Sequence, residues 1–403
     1  MEVERTARVV PIARHDTVPA PLRLPRGPVL GWDNFAGPRA PGLPAVDDLP
    51  HAVLTTSGRA ALYLALGELT PAQGACVLVP TYHCPTMVAP VLLAGCRPLF
   101  YALDESGLPD LKQLAQSSGE RPLAMIVAHY FGLPRSLAGV RHWCDTQGVA
   151  LIEDCAHCLF GRAGERPVGH WGDYATASLS KFLPVPEAGV LASATRALSD
   201  LALQPRSLAE QLKGVADVLE LGVRHGRLPG LNGPLGGIIR WRRGSLHPAR
   251  PSQADMPPAD AAAMMRGCDM GRASARPLWV SQWMTGALPR ERVVSRRRQH
   301  YTRYAQAFSD RSPRQQALAA LPPHAAPYVY PLWVDDADRV YLRLRAIEAP
   351  VFRWDRIWPG TPEDPSDFGP RWSHHVLQLL CHQDLADDDV DRVVDTLHTL
   401  LQE

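Results

Sequence analysis

Residues 151–193 read LIEDCAHCLFGRAGERPVGHWGDYATASLSKFLPVPEAGVLAS. With Val149 and Ala150 before it, the stretch opens on an apolar run that ends abruptly in Glu153 and Asp154. A buried parallel strand reads this way when it delivers a carboxylate at its C-terminal end. Further on a second run, YATASLS, delivers Lys181, and FLPVPEAG follows, too rich in proline to continue as regular structure. Taken singly, Asp154 could be a helix N-cap and Lys181 a surface lysine in a loop. The pair has to be read against the rest of the chain.

Working outward, a β–α–β rhythm surrounds this stretch. ACVLVP (75–80), RPLFYAL (97–103) and LAMIVAHYFG (123–132) read as strands, the last ending in His129. TMVAPVLLAG (86–95) and RSLAGVRHWCDTQG (135–148) read as helices closed by Gly95 and Gly148. Such short links predict a parallel sheet covered by helices, with ligands outside the carboxyl ends of its strands. Asp154 and the turn TYHC (81–84) fall there. Before them, AVLTTSG (52–58) is a short strand and polar turn, and RAALYLALGEL (59–69) is a helix. A helix entered through Thr55, Thr56, Ser57 and Gly58 presents free N–H groups to an anion, although Ser and Thr also serve as plain N-caps. An acid and an amine on neighbouring strand ends suit pyridoxal phosphate. That cofactor needs a lysine for its Schiff base and a carboxylate to keep its ring nitrogen protonated.

The remainder bounds the answer. The chain has 403 residues, 46% of them apolar and 21% charged, which is ordinary for a globular protein. A net charge of +1 gives no reason to expect nucleic acid or a membrane surface as partner. The opening MEVERTARVVPIARHD carries charge without an apolar core, so a cytoplasmic location is expected rather than secretion. The scattered cysteines read as buried thiols in a reducing compartment. Cys155 and Cys158 form a CxxC, but no second cysteine pair completes a zinc site, and Leu159 instead of His excludes haem attachment. No metal site is expected. SLAEQLKGVADVLELGVRHGR (207–227) is helical, PGLNGPLGG (229–237) reads as a glycine-rich turn, and PARPSQADMPPAD (248–260) as a flexible excursion. YVYPLWV, ADRVYLRLRAI, VFRW and DDDVDRVVDTLHTLLQ predict a compact C-terminal α/β unit. The expected division is an extended arm at 1–48, a large domain at 49–270 with an insertion at about 234–260, and a connecting helix with a small domain at 271–403.

These pieces together resemble the DegT/DnrJ/EryC1/StrS family of pyridoxal-phosphate sugar aminotransferases, of aspartate aminotransferase fold type I. TTSGRAALYLAL resembles the family's SGTAALHLAL, IVAHYFGLP its VHLYGQP, and IEDCAH its EDAAQ. GDYATASLSKFLPVPEAGVL resembles its lysine segment, and YPLWV and LLCHQDLADDDVDRVVDTL its ending. The resemblance implies an α/β large domain built on a mostly parallel, seven-stranded-type sheet between helices, with a smaller α/β domain after it. It implies Lys181 as the Schiff-base lysine and proton shuttle, and Asp154 as the partner of the pyridine nitrogen. It places His157 near the phenolic oxygen and Ser57, Gly58, Arg59 and Ser178 at the phosphate. Three departures stand out. Cys84 occupies the position of the usual stacking ring, which His83 or Tyr82 could replace. The serine-to-lysine spacing is about two residues short. The GxN that would send Asn232 into a partner's site precedes a long insertion. The implied function is transfer of an amino group, from L-glutamate, to a keto group of a nucleotide-linked sugar by a homodimer. Dehydration, a non-sugar acceptor, or a regulatory role without turnover are the alternatives.

Overall fold

The computed structural model describes residues 21–37, 42–116, 119–243 and 260–402. The first 20 residues of the expected arm, and residues 244–259 of the expected insertion, lie outside the described residues. Among the described residues of the first half there are nine strands: β1 (His51–Thr55), β2 (Cys76–Pro80), β3 (Arg97–Tyr101), β4 (Ala124–Ala128), β5 (Ala150–Cys155), β6 (Arg162–Ala163), β7 (Arg166–Pro167), β8 (Tyr174–Ser178) and β9 (Gly189–Ser193). Seven of them form one sheet in the order β1-β9-β8-β5-β4-β2-β3, and β6 and β7 make a separate small hairpin. From β3 to β8 every pairing is parallel, while β9 runs antiparallel to both β8 and β1. The mostly parallel sheet between helices is the α/β fold read from the sequence.

Strand pleating distributes the core to both faces. Val77, Val79, Ile126, Ile152 and Leu191 pack under the helices Gly58–Glu68 and Pro85–Leu93. Leu78, Met125, Val127, Leu151, Ala175 and Val190 pack on the other face with the helix Ala138–Gln147, in a cluster that continues into the C-terminal unit. That unit holds a three-stranded antiparallel sheet, β10 (Val329–Trp333), β11 (Val351–Phe352) and β12 (Val376–Leu380), with β12 in the middle. Helices Glu291–Ala307, Ala337–Ala346, Phe368–His375 and Asp387–Gln402 belong to the same half of the chain.

One reading of local structure changes. The segment 229–237 is a turn only as far as Leu231, after which Asn232–Arg243 is helical. Pro234 lies in the first turn, where its missing N–H costs nothing. The glycines that made the stretch look like a turn lower helix propensity without forbidding it. The described part of the arm is packed: the Val29 N–H and the Asn34 side-chain amide donate to the Asp384 carboxylate at 3.1 and 3.0 Å.

The same pleat separates the two acids that end β5. Glu153 turns to the face of Leu151 and is wholly buried. Its carboxylate accepts hydrogen bonds from His129 Nε2 at 2.9 Å and from the backbone N–H groups of Gly169, Trp171 and Gly172 at 2.7, 2.8 and 3.1 Å. Burial alone raises this carboxyl, but His129 and the backbone donors outweigh it and the net shift is downward. A depressed folded-state value gives stability that is present above the ordinary carboxyl range and lost as pH falls through the folded value. Glu153→Gln should therefore cost about 3 kcal/mol at neutral pH. The gap to wild type should narrow below the ordinary value of 4.5. Denaturant unfolding at pH 7 and pH 4 measures both, and a gap that does not change with pH would contradict this role.

Candidate functional site

The C-terminal ends of the parallel strands surround a cavity of about 330 Å³. The loop after β1 supplies Thr56, Ser57, Gly58 and Arg59, and the loop after β2 supplies Cys84 and Thr86. His129 and Tyr130 follow β4, Asp154 and His157 close β5, and Ser178, Ser180 and Lys181 follow β8. Pro186 and Glu187 come from the segment entering β9, whose reversed direction puts its start at this edge. Among the described residues Trp354, just after β11, is the one lining residue from the C-terminal unit.

The turn after β1 is built by close packing. Ser57 caps the helix Gly58–Glu68, its Oγ accepting from the Ala60 N–H at 3.2 Å. The N–H groups of Gly58 and Arg59, in the first turn, have no intrahelical acceptor. A Cβ on Gly189 would lie 2.2 Å from the Ser57 carbonyl carbon, and one on Gly58 would press on Ser178 at 3.3 Å. Only glycine at 189 lets β9 lie against this turn. Arg59 keeps a buried Nε without a hydrogen-bond partner, and its guanidinium is 4.0 Å from Asp269.

Asp154 accepts from the Ala156 N–H at 2.8 Å. Burial raises its carboxyl, against the opposing effects of that N–H, Lys181, His129 and the Thr176 hydroxyl. Burial also lowers Lys181, opposed by Cys84 and Asp154 and reinforced by Arg59. Lys181 ends a single 3-10 turn, Leu179–Lys181, and its Nζ lies 5.3 Å from the centre of the Tyr328 ring. His157 packs on Tyr328 and Trp354 at centroid distances of 4.4 and 4.9 Å, and burial drives its imidazole toward the neutral form. The shortened spacing from Ser178 still brings Lys181 into one cavity with Asp154.

Eight of the ten residues singled out in the sequence line this cavity: Ser57, Gly58, Arg59, Cys84, Asp154, His157, Ser178 and Lys181. His83 and Asn232 do not. His83 is fully buried beneath the loop, its Nδ1 donating to the Pro80 carbonyl at 2.8 Å and its Nε2 accepting from the Trp358 N–H at 3.0 Å. It stacks on Phe100 rather than facing the cavity. Tyr82 is equally buried and receives a hydrogen bond on its hydroxyl from Gln378 at 3.1 Å. Neither replaces the ring absent at Cys84. Asn232 caps its own turn, accepting from the Leu228 N–H at 3.2 Å. The residues not anticipated were Trp354, Tyr130, Glu187 and Tyr328. An aromatic two residues past the short strand VF was the one sequence signal for Trp354. His129, Glu153 and Cys155 cluster closely enough to hold a metal ion. Glu153, however, already accepts four hydrogen bonds from His129 and the backbone, and all eight cysteines are free.

Comparison with known proteins follows the same lines. Residues 46–214 match the sequence profile of the DegT/DnrJ/EryC1/StrS aminotransferase family. The chain is 28% identical over 157 residues to GDP-perosamine synthase of Vibrio cholerae, covering 38% of this chain and 43% of that protein. It is 29% identical over 174 residues to dTDP-4-dehydro-2,3,6-trideoxy-D-glucose 4-aminotransferase of Saccharopolyspora spinosa, covering 41% and 44%. The chain thus spans less than half the length of these curated relatives. The aminotransferase TlmJ from Streptoalloteichus hindustanus superposes with a TM-score of 0.57 at 21% identity, over 87% of this chain and 86% of that one, and so shares the fold. The profile match spans the turn after β1, Asp154 and Lys181, so the part of the chain that is similar to the DegT/DnrJ/EryC1/StrS aminotransferase family is the part that builds most of the cavity.

Proposed function

We propose that this protein is a pyridoxal-phosphate aminotransferase that moves an amino group, from L-glutamate, onto a keto group of a nucleotide-linked sugar. The observation that carries the reading is the meeting of Lys181 and Asp154 in one cavity beside the free N-terminus of the helix Gly58–Glu68. The residues present fit the cofactor. Asp154 is a buried carboxylate whose charge is under-compensated, as suits a protonated ring nitrogen. The first-turn N–H groups of Gly58 and Arg59, the orphaned Arg59 Nε and the Ser178 hydroxyl suit a phosphate. When bound, pyridoxal phosphate supplies an electron sink for the charge left on a substrate carbon after proton loss.

The chain's own groups perform the rest. Lys181 Nζ, made less basic by burial, takes the proton from the carbon bearing the amino group and returns one to the acceptor carbon. Asp154 would keep the ring nitrogen protonated, and His157, driven toward the neutral form by burial, would offer a nitrogen to the phenolic oxygen without competing charge. Trp354, Tyr130 and Cys84 line the walls around the amine. The sugar reading draws on the names of the relatives, a perosamine synthase and a dehydro-deoxyglucose aminotransferase. Eight unpaired cysteines support a reducing, cytoplasmic setting.

The homodimer reading draws on an apolar face. Leu208, Leu212 and Val215 are exposed along the helix Leu208–Arg224. Trp279 and Trp283, 61% and 60% exposed, project from the helix Trp279–Ala287. Phe35 lies 6.1 Å from Trp283, and the indole N–H of Trp32 donates to the Pro229 carbonyl at 3.0 Å, which carries the face toward Asn232. A monomer rarely leaves so much aromatic surface open. A second copy would cover it.

Two measurements test these readings. Mixing the reconstituted protein with L-glutamate should convert the cofactor to its amine form, visible by absorbance. Asp154→Asn should retain the cofactor and convert it about 10- to 150-fold more slowly, the equivalent of 1.5–3 kcal/mol. A rate equal to wild type would remove Asp154 from its role, and a cofactor that no amino donor converts would remove transamination. In the second, sedimentation velocity should find a dimer for wild type and a monomer for the double variant Trp279→Asp, Trp283→Asp. A double variant that sediments as wild type does would place the interface elsewhere.

A further inference from the structure

The turn that carries Lys181 is short and ends without regular structure, which raises the question of what fixes it. After the 3-10 turn Leu179–Lys181 come Phe182 and Leu183, then Pro184 and Pro186. The carbonyls that end a helical turn lack intrahelical partners, and the prolines bring no N–H to meet them. Buried carbonyls left unpaired are costly. Here two side chains from the C-terminal half meet them. Arg297 Nη2 donates to the Lys181 carbonyl at 2.6 Å, and Gln383 Nε2 donates to the Phe182 carbonyl at 2.8 Å.

The two donors are themselves joined, Arg297 Nε donating to Gln383 Oε1 at 3.0 Å. Arg297 Nη1 reaches the Pro327 carbonyl at 3.2 Å, directly before Tyr328, whose ring lies under Lys181 Nζ. The guanidinium also lies 4.4 Å over the Phe182 ring. Both side chains are 0% exposed. Among the described residues no carboxylate forms an ion pair with Arg297. A cation buried in this way is expensive unless its geometry is needed. The planar fork of arginine can hold three acceptors at fixed angles, which an ammonium cannot.

We propose that Arg297 and Gln383 are positioning residues for the reactive amine: by holding the carbonyls of Lys181 and Phe182, and through Pro327 the Tyr328 ring, they set where Lys181 Nζ lies. Neither touches the cavity, so they act through Lys181. The inference rests on the role assigned to Lys181 above. It makes the C-terminal half part of the catalytic geometry rather than only a cover.

The test uses full-length protein reconstituted with pyridoxal phosphate, comparing wild type with Arg297→Lys and Gln383→Met. Each is assayed for steady-state turnover with L-glutamate and a keto acceptor, and the pH midpoint of the cofactor's absorbance band is followed. Displacing Nζ should lower kcat by about 10- to 100-fold. It should leave KM for L-glutamate within about twofold and shift the pH midpoint, because the amine's distance to Asp154 changes. If the pair were purely stabilising, the variants would melt at a lower temperature while kcat and the midpoint of the folded protein stayed unchanged, which would overturn the inference. If Arg297→Lys does not fold, Gln383→Met, which removes the hydrogen bonds to the Phe182 carbonyl and from Arg297 Nε at nearly constant volume, decides by the same two readouts. Wild type that binds no cofactor at Lys181 overturns the functional reading instead, and is recognised before any variant is compared.

Discussion

Two successive carboxylates cannot leave a strand on the same side. Glu153 and Asp154 end β5, and the pleat sends them to opposite faces of the sheet. Glu153 enters the core and collects four donors, which tie the His129 loop and the 169–172 loop to the strand end. Asp154 is thereby left facing the helix side, where Gly58, Ser178 and Lys181 converge. Slipping the register by one residue would bury the wrong acid and dismantle both functions. The site's electrostatics follow from this split. One acid is saturated and structural, the other is buried with too few donors and available to a cationic partner.

The second half of the chain completes what the sheet begins. Trp354 lines the cavity beside His157, Tyr328 packs on His157 from behind, and Arg297 and Gln383 reach the backbone of the lysine turn. The segment 382–384 is a junction. His382 Nε2 donates to the Pro25 carbonyl at 3.0 Å, Gln383 holds the lysine turn, and Asp384 receives Val29, Asn34 and Arg292. Arm, lysine turn and C-terminal unit are thus fastened at neighbouring residues. Movement of one is felt by the others through hydrogen bonds rather than through loose packing.

The parts legible in the sequence were those set by local physics. Continuous apolar runs gave β2, β4 and β5, a glycine at φ +62° closed the helix before β5, and the Ser57 cap announced the turn after β1. Asp154 and Lys181 were readable because parallel strands end on one edge. What escaped depends on partners far along the chain. His83 looked like a substitute for a stacking ring, but Trp358, 275 residues later, claims its Nε2. Trp354 is brought to the cavity by its neighbour Arg353, whose guanidinium donates to the carbonyls of Ser373 and His374. Neither contact leaves a periodic signal. The helix from Asn232 was hidden by its own glycines, whose weak propensity tertiary packing overrides.

The central claim is that Lys181 is the amine that takes the cofactor. The sequence contains three lysines, and Lys112 and Lys213 are both exposed on helices away from the cavity. Borohydride reduction of the protein reconstituted with pyridoxal phosphate, followed by peptide mass mapping, therefore distinguishes the possibilities cleanly. The account predicts one phosphopyridoxyl group per chain, on Lys181. An adduct on Lys112 or Lys213 with Lys181 unmodified would contradict it.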